Sequence, residues 1–167
     1  MMTDRNQPLQ PLLEPGQIIP AFDLPDADGM PYSPWNYKQR QNLILLFTRD
    51  IMLGETRGLL RAFAQHYATF REEECALLAI TPNPVIVNLG VQEELRLPFP
   101  VLGNPQGNVI ARYTRWDRAT QTLYPGIVLA DRFNALYQQW TAETEAELPP
   151  IEELLTSLGY LNSLCNP

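Results

Sequence analysis

A chain of 167 residues, 45% of them hydrophobic, has the material for one globular domain with a sizeable core. Its net charge of −7 and pI near 4.7 argue against non-specific binding to nucleic acid or to an anionic membrane, which needs a basic face. All 12 basic residues except Lys38 are arginine, the side chain suited to geometrically defined pairing with carboxylates or phosphates.

No basic stretch followed by an apolar run opens the chain, so no signal peptide is expected, and no apolar run is long enough to span a bilayer. Cys75 and Cys165 stand far apart with no CxxC, which fits a reducing cytoplasm without a disulfide framework. With one histidine and two cysteines, no transition-metal cluster is expected.

Residues 1–15 are polar and punctuated by proline, and read as a loose arm. A β-hairpin is expected over about 21–33, where Phe22 and Leu24 alternate with polar neighbours and Asp28-Gly29 supplies the turn. Ser33-Pro34-Trp35 then starts a turn or short helix. Leu43–Phe47 is a continuous apolar run, the pattern of a strand buried on both faces. Beyond a tight loop, Leu59, Leu60, Phe63, Ala64 and Tyr67 fall at helical spacing, so one helix is expected to run to about Phe70, closed by Glu72–Glu74.

Ala76–Ile80 reads as a second buried strand, broken by Thr81-Pro82-Asn83-Pro84, and residues 85–96 as a helix. Leu97–Leu102 leads into Asn104-Pro105, an N-cap with proline in the first helical turn, followed by an apolar stripe of Val109, Ile110 and Tyr113. Gly126–Ala130 is a third core strand, and Asp131-Arg132-Phe133-Asn134 a turn in which Asn134 can turn left-handed. Ala135–Trp140 returns antiparallel. Thr141–Pro150 reads as an acidic exposed loop, and Ile151, Leu154, Leu155 and Leu158 line a helix stopping at Gly159. Buried strands separated by helices make one α/β domain, spanning 16–160, with 161–167 as a tail.

Four stretches in this order resemble the AhpC/TSA group of the thioredoxin fold, the peroxiredoxins and their relatives. They are GQIIPAFDL with Gly29, LILLFTRD with its following helix, LPFPVLGNPQGNVIARY at 97–113 and PGIVLADRFNALYQQW at 125–140. The resemblance implies a thioredoxin-like fold: a central mixed sheet flanked by helices, with an N-terminal β-hairpin. It also implies a P-xxx-T-xx-C motif between the first core strand and its helix. Aligned on that motif, Thr48 stands for the proline, Met52 for the threonine and Glu55 for the peroxidatic cysteine, while Asp50 and Thr56 keep family types. The first cysteine of the chain is Cys75. Pro125 falls where the family's arginine before the final hairpin is expected. Thioredoxin-type relatives carry a cis-proline there, which sets a cis Tyr124–Pro125 bond against the ordinary trans one.

A carboxylate cannot become a sulfenic acid, so the expected function is a degenerate peroxiredoxin-like domain serving as a non-catalytic binding or regulatory module. The alternative is a thiol-dependent antioxidant oxidoreductase using Cys75 or Cys165. Glu55 has three readings: a first-turn acid favoured by the helix dipole, a fixed mimic of the thiolate, or a general base. Cys75 is expected as a small apolar core residue and His66 as an edge or surface residue. Arg57, with Arg49 and Arg61, flanks the loop, and Arg112, Arg115 and Trp116 form a second cluster. Together they suggest a site for a small anion or for a protein partner, against the reading of ordinary surface ion pairs. No cofactor is expected, and a homodimer is expected only from the habit of the relatives.

Overall fold

The computed structural model describes residues 11–117, 119–120 and 122–165, the last by its backbone alone. Leu24–Pro25 (β1) and Pro31–Tyr32 (β2) form the N-terminal hairpin. Asp26 fixes its turn: Oδ1 accepts from the amides of Asp28 and Met30 at 2.9 and 2.8 Å. Ser33 caps the short 3₁₀ turn Pro34–Asn36. The chain then enters Asn42–Phe47 (β3), followed by Gly54–Gln65 (α1), Tyr67–Glu72 (α2), Cys75–Thr81 (β4), Val85–Leu95 (α3) and Val101–Gly103 (β5). After Ile110–Tyr113 (α4) come Trp116–Asp117 (β6), Thr122–Leu123 (β7), Gly126–Ala130 (β8), Leu136–Thr141 (β9) and Ile151–Cys165 (α5).

β3 is the centre of a five-stranded sheet ordered β5-β4-β3-β8-β9. It runs parallel to β4 and antiparallel to β8, β5 adds parallel to β4, and β9 adds antiparallel to β8. The continuous apolar run of β3 is explained by its two covered faces. Ile44 and Leu46 join Leu60, Phe63, Phe70, Leu154 and Leu158 in one core layer. Leu43, Leu45 and Phe47 join Phe22, Leu24, Ile110 and Tyr113 in the other. Tyr113 packs against Phe47 and Phe22 with ring centroids 4.9 and 5.9 Å away and donates its hydroxyl to Pro20 O, tying α4 to the N-terminal segment. Gly16 N–H donates to Leu136 O and Leu136 N–H to Gln17 O, both at 2.7 Å, and Leu13, inside the stretch expected to be a loose arm, is buried. Residues 1–10 of that arm lie outside the described residues.

Several expected elements are corrected. The single helix to Phe70 is two helices, broken at His66, whose Nδ1 lies 2.9 Å from Ala62 O. Asn104 does cap a helix, but across a turn. Its Oδ1 accepts from the amides of Val109 and Ile110, both at 3.1 Å, so Pro105 lies outside the helix. Gly107 is required in that turn: φ is +73°, and a Cβ there would stand 2.6 Å from the Trp116 ring. α5 does not stop at Gly159. Burial of Leu161 on the next turn outweighs a glycine cost of about 1 kcal/mol. The β6–β7 hairpin has no counterpart in the sequence reading. The Tyr124–Pro125 bond is trans, since no cis peptide occurs among the described residues. No helix among them is long and apolar enough to cross a membrane.

Leu46, fully buried in β3, makes the fold testable: Leu46→Ala is expected to cost about 2–5 kcal/mol in equilibrium urea unfolding. A loss below about 1 kcal/mol would remove β3 from the centre of the core.

Candidate functional site

The loop Thr48–Leu53 leaves the C-terminal end of β3 and delivers the chain to α1. A loop in this position exposes backbone amides that must find acceptors. Here nearly all of them do so inside the protein. Thr48 N–H donates to Ile80 O at 3.1 Å, and Leu53 N–H to Asp50 O at 3.1 Å. Asp50 Oδ1 takes the Met52 amide at 3.0 Å and the Asn83 side-chain amide at 2.9 Å. Asn83 Oδ1 in turn takes the Ile51 amide at 2.8 Å, so the β4–α3 connection is stitched to this loop.

The Arg49 amide donates at 2.9 Å to Glu145 Oε1. Glu145 is the residue that reading the sequence missed. It lies in the 3₁₀ turn Glu145–Glu147, within the stretch expected to be an exposed acidic loop, yet its side chain has no solvent exposure. Its oxygens also accept from Arg49 Nε at 3.0 and 3.3 Å, Arg49 Nη2 at 2.6 Å and Thr56 Oγ1 at 3.1 Å. Burial pushes the Glu145 pKa up. The hydrogen bonds from the Arg49 guanidinium and amide outweigh that and hold the carboxyl below its ordinary 4.5. A signal was present: Ala142, Glu145 and Leu148 recur every third residue, and all three are buried.

The other expected site residues fall into two groups. Around the loop, Thr48 is fully buried and donates to Arg49 O at 3.0 Å, and Thr56 is buried on the first turn of α1. Met52 is 58% exposed. Glu55 stands in the first turn of α1, 51% exposed, and accepts from Arg49 Nη2 at 3.1 Å. That first-turn position is the one the helix-dipole reading requires. Pro125 is buried just before β8, its carbonyl accepting at 3.1 Å from the N–H of Ala142, just past β9.

Away from the loop, Cys75 is fully buried at the start of β4 among the apolar residues beneath α1 and α2, and burial pushes its thiol pKa up. It is core, as expected. The Cys165 side chain lies outside the described residues. Arg57 pairs with Glu94 of α3 at 2.5 Å. Arg112 and Arg115 are exposed, and Trp116 lies half-buried over Gly107. None of these three lines the cleft of about 220 Å³ that does open beside the loop. That cleft is walled by Arg49, Asp50, Leu53, Pro82, Thr122 and Leu123. A larger hollow of about 550 Å³, at Trp35 to Arg40, sits before β3 at the opposite end of the strand.

A model of the AhpC/TSA family matches residues 15–139. Comparison with curated proteins gives no match. Among solved structures, the peroxidoxin BcpB of Mycobacterium tuberculosis superposes with a TM-score of 0.78 at 18% identity, over 89% of this chain and 98% of that one. AhpC of Enterococcus faecalis gives 0.81 at 16% identity, over 90% and 93%. A mutant of peroxiredoxin 6 from Arenicola marina gives 0.81 at 12%, over 92% and 76%. These likenesses establish a shared thioredoxin-like fold.

Glu145→Ala would strand the Thr56 hydroxyl and leave Arg49 with Glu55 as its remaining carboxylate. It is expected to cost about 2–4 kcal/mol in urea unfolding, whereas Glu55→Ala costs less than about 1 kcal/mol. Because the folded Glu145 pKa is depressed, its contribution is complete above the ordinary 4.5 and is lost as pH falls through the folded value. The gap between wild type and Glu145→Gln is therefore expected to close only in that acid range. A gap unchanged from neutral pH down into strong acid would rule out the ionised latch.

Proposed function

The chain belongs to the AhpC/TSA family, and on that premise we propose that it is a peroxiredoxin-like domain with a degenerate peroxidatic site, acting as a non-catalytic binding or regulatory module. The observation that carries this reading is the Glu145 carboxylate lodged on Arg49 and Thr56. A peroxidase needs a thiolate with free cationic and hydrogen-bonding donors around it to grip and polarise the peroxide. In this chain the arginine and the threonine hydroxyl of the loop already serve an internal carboxylate. The amides of Arg49, Ile51 and Met52 likewise serve side chains. Glu55, at the position aligned with the cysteine, offers no redox chemistry.

The thiol-dependent alternative finds little support in Cys75, which is buried beneath two helices with its ionisation opposed by burial. That alternative rests on Cys165. A small anion is a poorer ligand than a protein, because Arg49 and Arg57 are paired with Glu145, Glu55 and Glu94. Exposed Met52 and Leu53 beside the cleft favour a protein partner. The buried Cys75 thiol is compatible with the reducing cytoplasm expected from sequence.

Hydrogen-peroxide consumption with a thiol reductant tests the proposal on the native chain and on a Cys75→Ala/Cys165→Ser variant. Neither protein is expected to exceed the buffer rate. Turnover by the native chain that the variant loses would replace this reading with that of a displaced catalytic cysteine.

A further inference from the structure

The end of the domain that carries the loop combines apolar exposure with a local excess of acid. Met52 and Leu53 are 58% and 39% exposed on the loop, and Ile86, 72% exposed, lies in the first turn of α3. Asn83 holds the two segments together through its bonds to Asp50 and to the Ile51 amide. Leu53 walls the cleft together with Pro82 and the buried Leu123, while Met52 and Ile86 stand outside its lining. Single exposed apolar residues are ordinary, but Leu53, Pro82 and Leu123 on one cleft supply a socket for an apolar side chain.

The charges point to what stands beside that side chain. Arg49 is the cation at the cleft wall, and it is bonded to both Glu145 and Glu55. Asp50 is exposed at the wall and uses Oδ1 for its internal bonds. With Glu145 buried against Arg49, the exposed carboxylates here are Asp50 at the wall and Glu55 on the first turn of α1. An acidic rim around an apolar socket favours a cationic ligand and repels an anionic one.

We propose that this cleft docks an extended segment of a partner protein presenting a large apolar side chain next to a lysine or arginine. The proposal rests on the binding-module reading and names its ligand. The apolar side chain enters between Leu53, Pro82 and Leu123, and the basic one reaches the free oxygens of Asp50 and Glu55. The loop needs no reordering to receive it, because five of its six amides already have partners inside the protein.

Fluorescence anisotropy with labelled peptides tests this on the full chain, using one peptide of Leu and Lys, one with Glu in place of Lys, and one with Ser in place of Leu. The Leu/Lys peptide is expected to bind best. Leu53→Ser should weaken it about tenfold, and Asp50→Asn with Glu55→Gln about two- to fivefold, with less effect at high salt. Asp50→Asn keeps the acceptor oxygen that orders the loop, and thermal unfolding checks that each variant folds. Glu152→Gln/Glu153→Gln, on the exposed side of α5, should change nothing. No binding, equal binding of the Glu peptide, or equal weakening by the α5 pair overturns the proposal. So does a cleft that sedimentation shows to be filled by a second copy which the Leu/Lys peptide does not displace. Failure of the peptides with no peroxide turnover overturns this inference alone, whereas thiol-dependent turnover overturns the reading beneath it.

Discussion

Removing a carboxylate from water is expensive unless charge and hydrogen bonds replace the lost hydration. Glu145 meets that condition completely. A guanidinium, a backbone amide and a hydroxyl converge on its two oxygens. The groups it gathers come from the loop after β3 and the first turn of α1, while the carboxylate stands on the 3₁₀ turn between β9 and α5. One side chain therefore joins the centre of the sheet to the last layer of the fold. Net stability is not the main consequence, since well-packed apolar groups can stabilise as much as a buried ion pair. The consequence is conformational choice, because only one arrangement of the loop places all the donors correctly.

The same constraint sets the character of the α1 end. Loops that move are those whose amides are poorly held and whose local opening costs little. Here Asp50, Asn83 and Glu145 hold the amides of Arg49, Ile51 and Met52. What faces solvent is then decided by what those bonds leave over: Met52 and Leu53 as apolar surface, Glu55 and Asp50 as charge. The chemistry of the exposed face is a by-product of how the backbone is satisfied.

Much of the fold was legible because periodicity reports burial. The unbroken run Leu43–Phe47 needs both faces covered, and both are. Asn134 takes the left-handed conformation expected of it, with φ 62°. Legibility failed where a short-range signal was satisfied over a longer path, as when Asn104 caps a helix five residues away instead of the next residue. It failed at Gly159, where packing of Leu161 overrode a local stop signal. It failed most at Glu145. An acidic stretch of chain reads as solvated because most carboxylates are, and only the tertiary fold brings Arg49 to this one. The spacing of Ala142, Glu145 and Leu148 carried a hint, but a three-residue period over seven residues is too short to stand out.

Around the loop, residue types were legible and their arrangement was not. The arginines near the loop were visible in the sequence, and so was the absence of a cysteine before Cys75. Whether those arginines remained available to a ligand depended on partners 37 and 96 positions away in the chain, Glu94 for Arg57 and Glu145 for Arg49. Their pairing is what moves the reading from anion capture toward a protein surface. A loop already fixed by its own hydrogen bonds gives up little conformational freedom on binding, so modest apolar contact can yield a useful affinity. The physical requirement for such a surface is rigidity and exposed apolar area. In this chain the first is supplied by a carboxylate, and the second by the side chains that its hydrogen bonds hold in place.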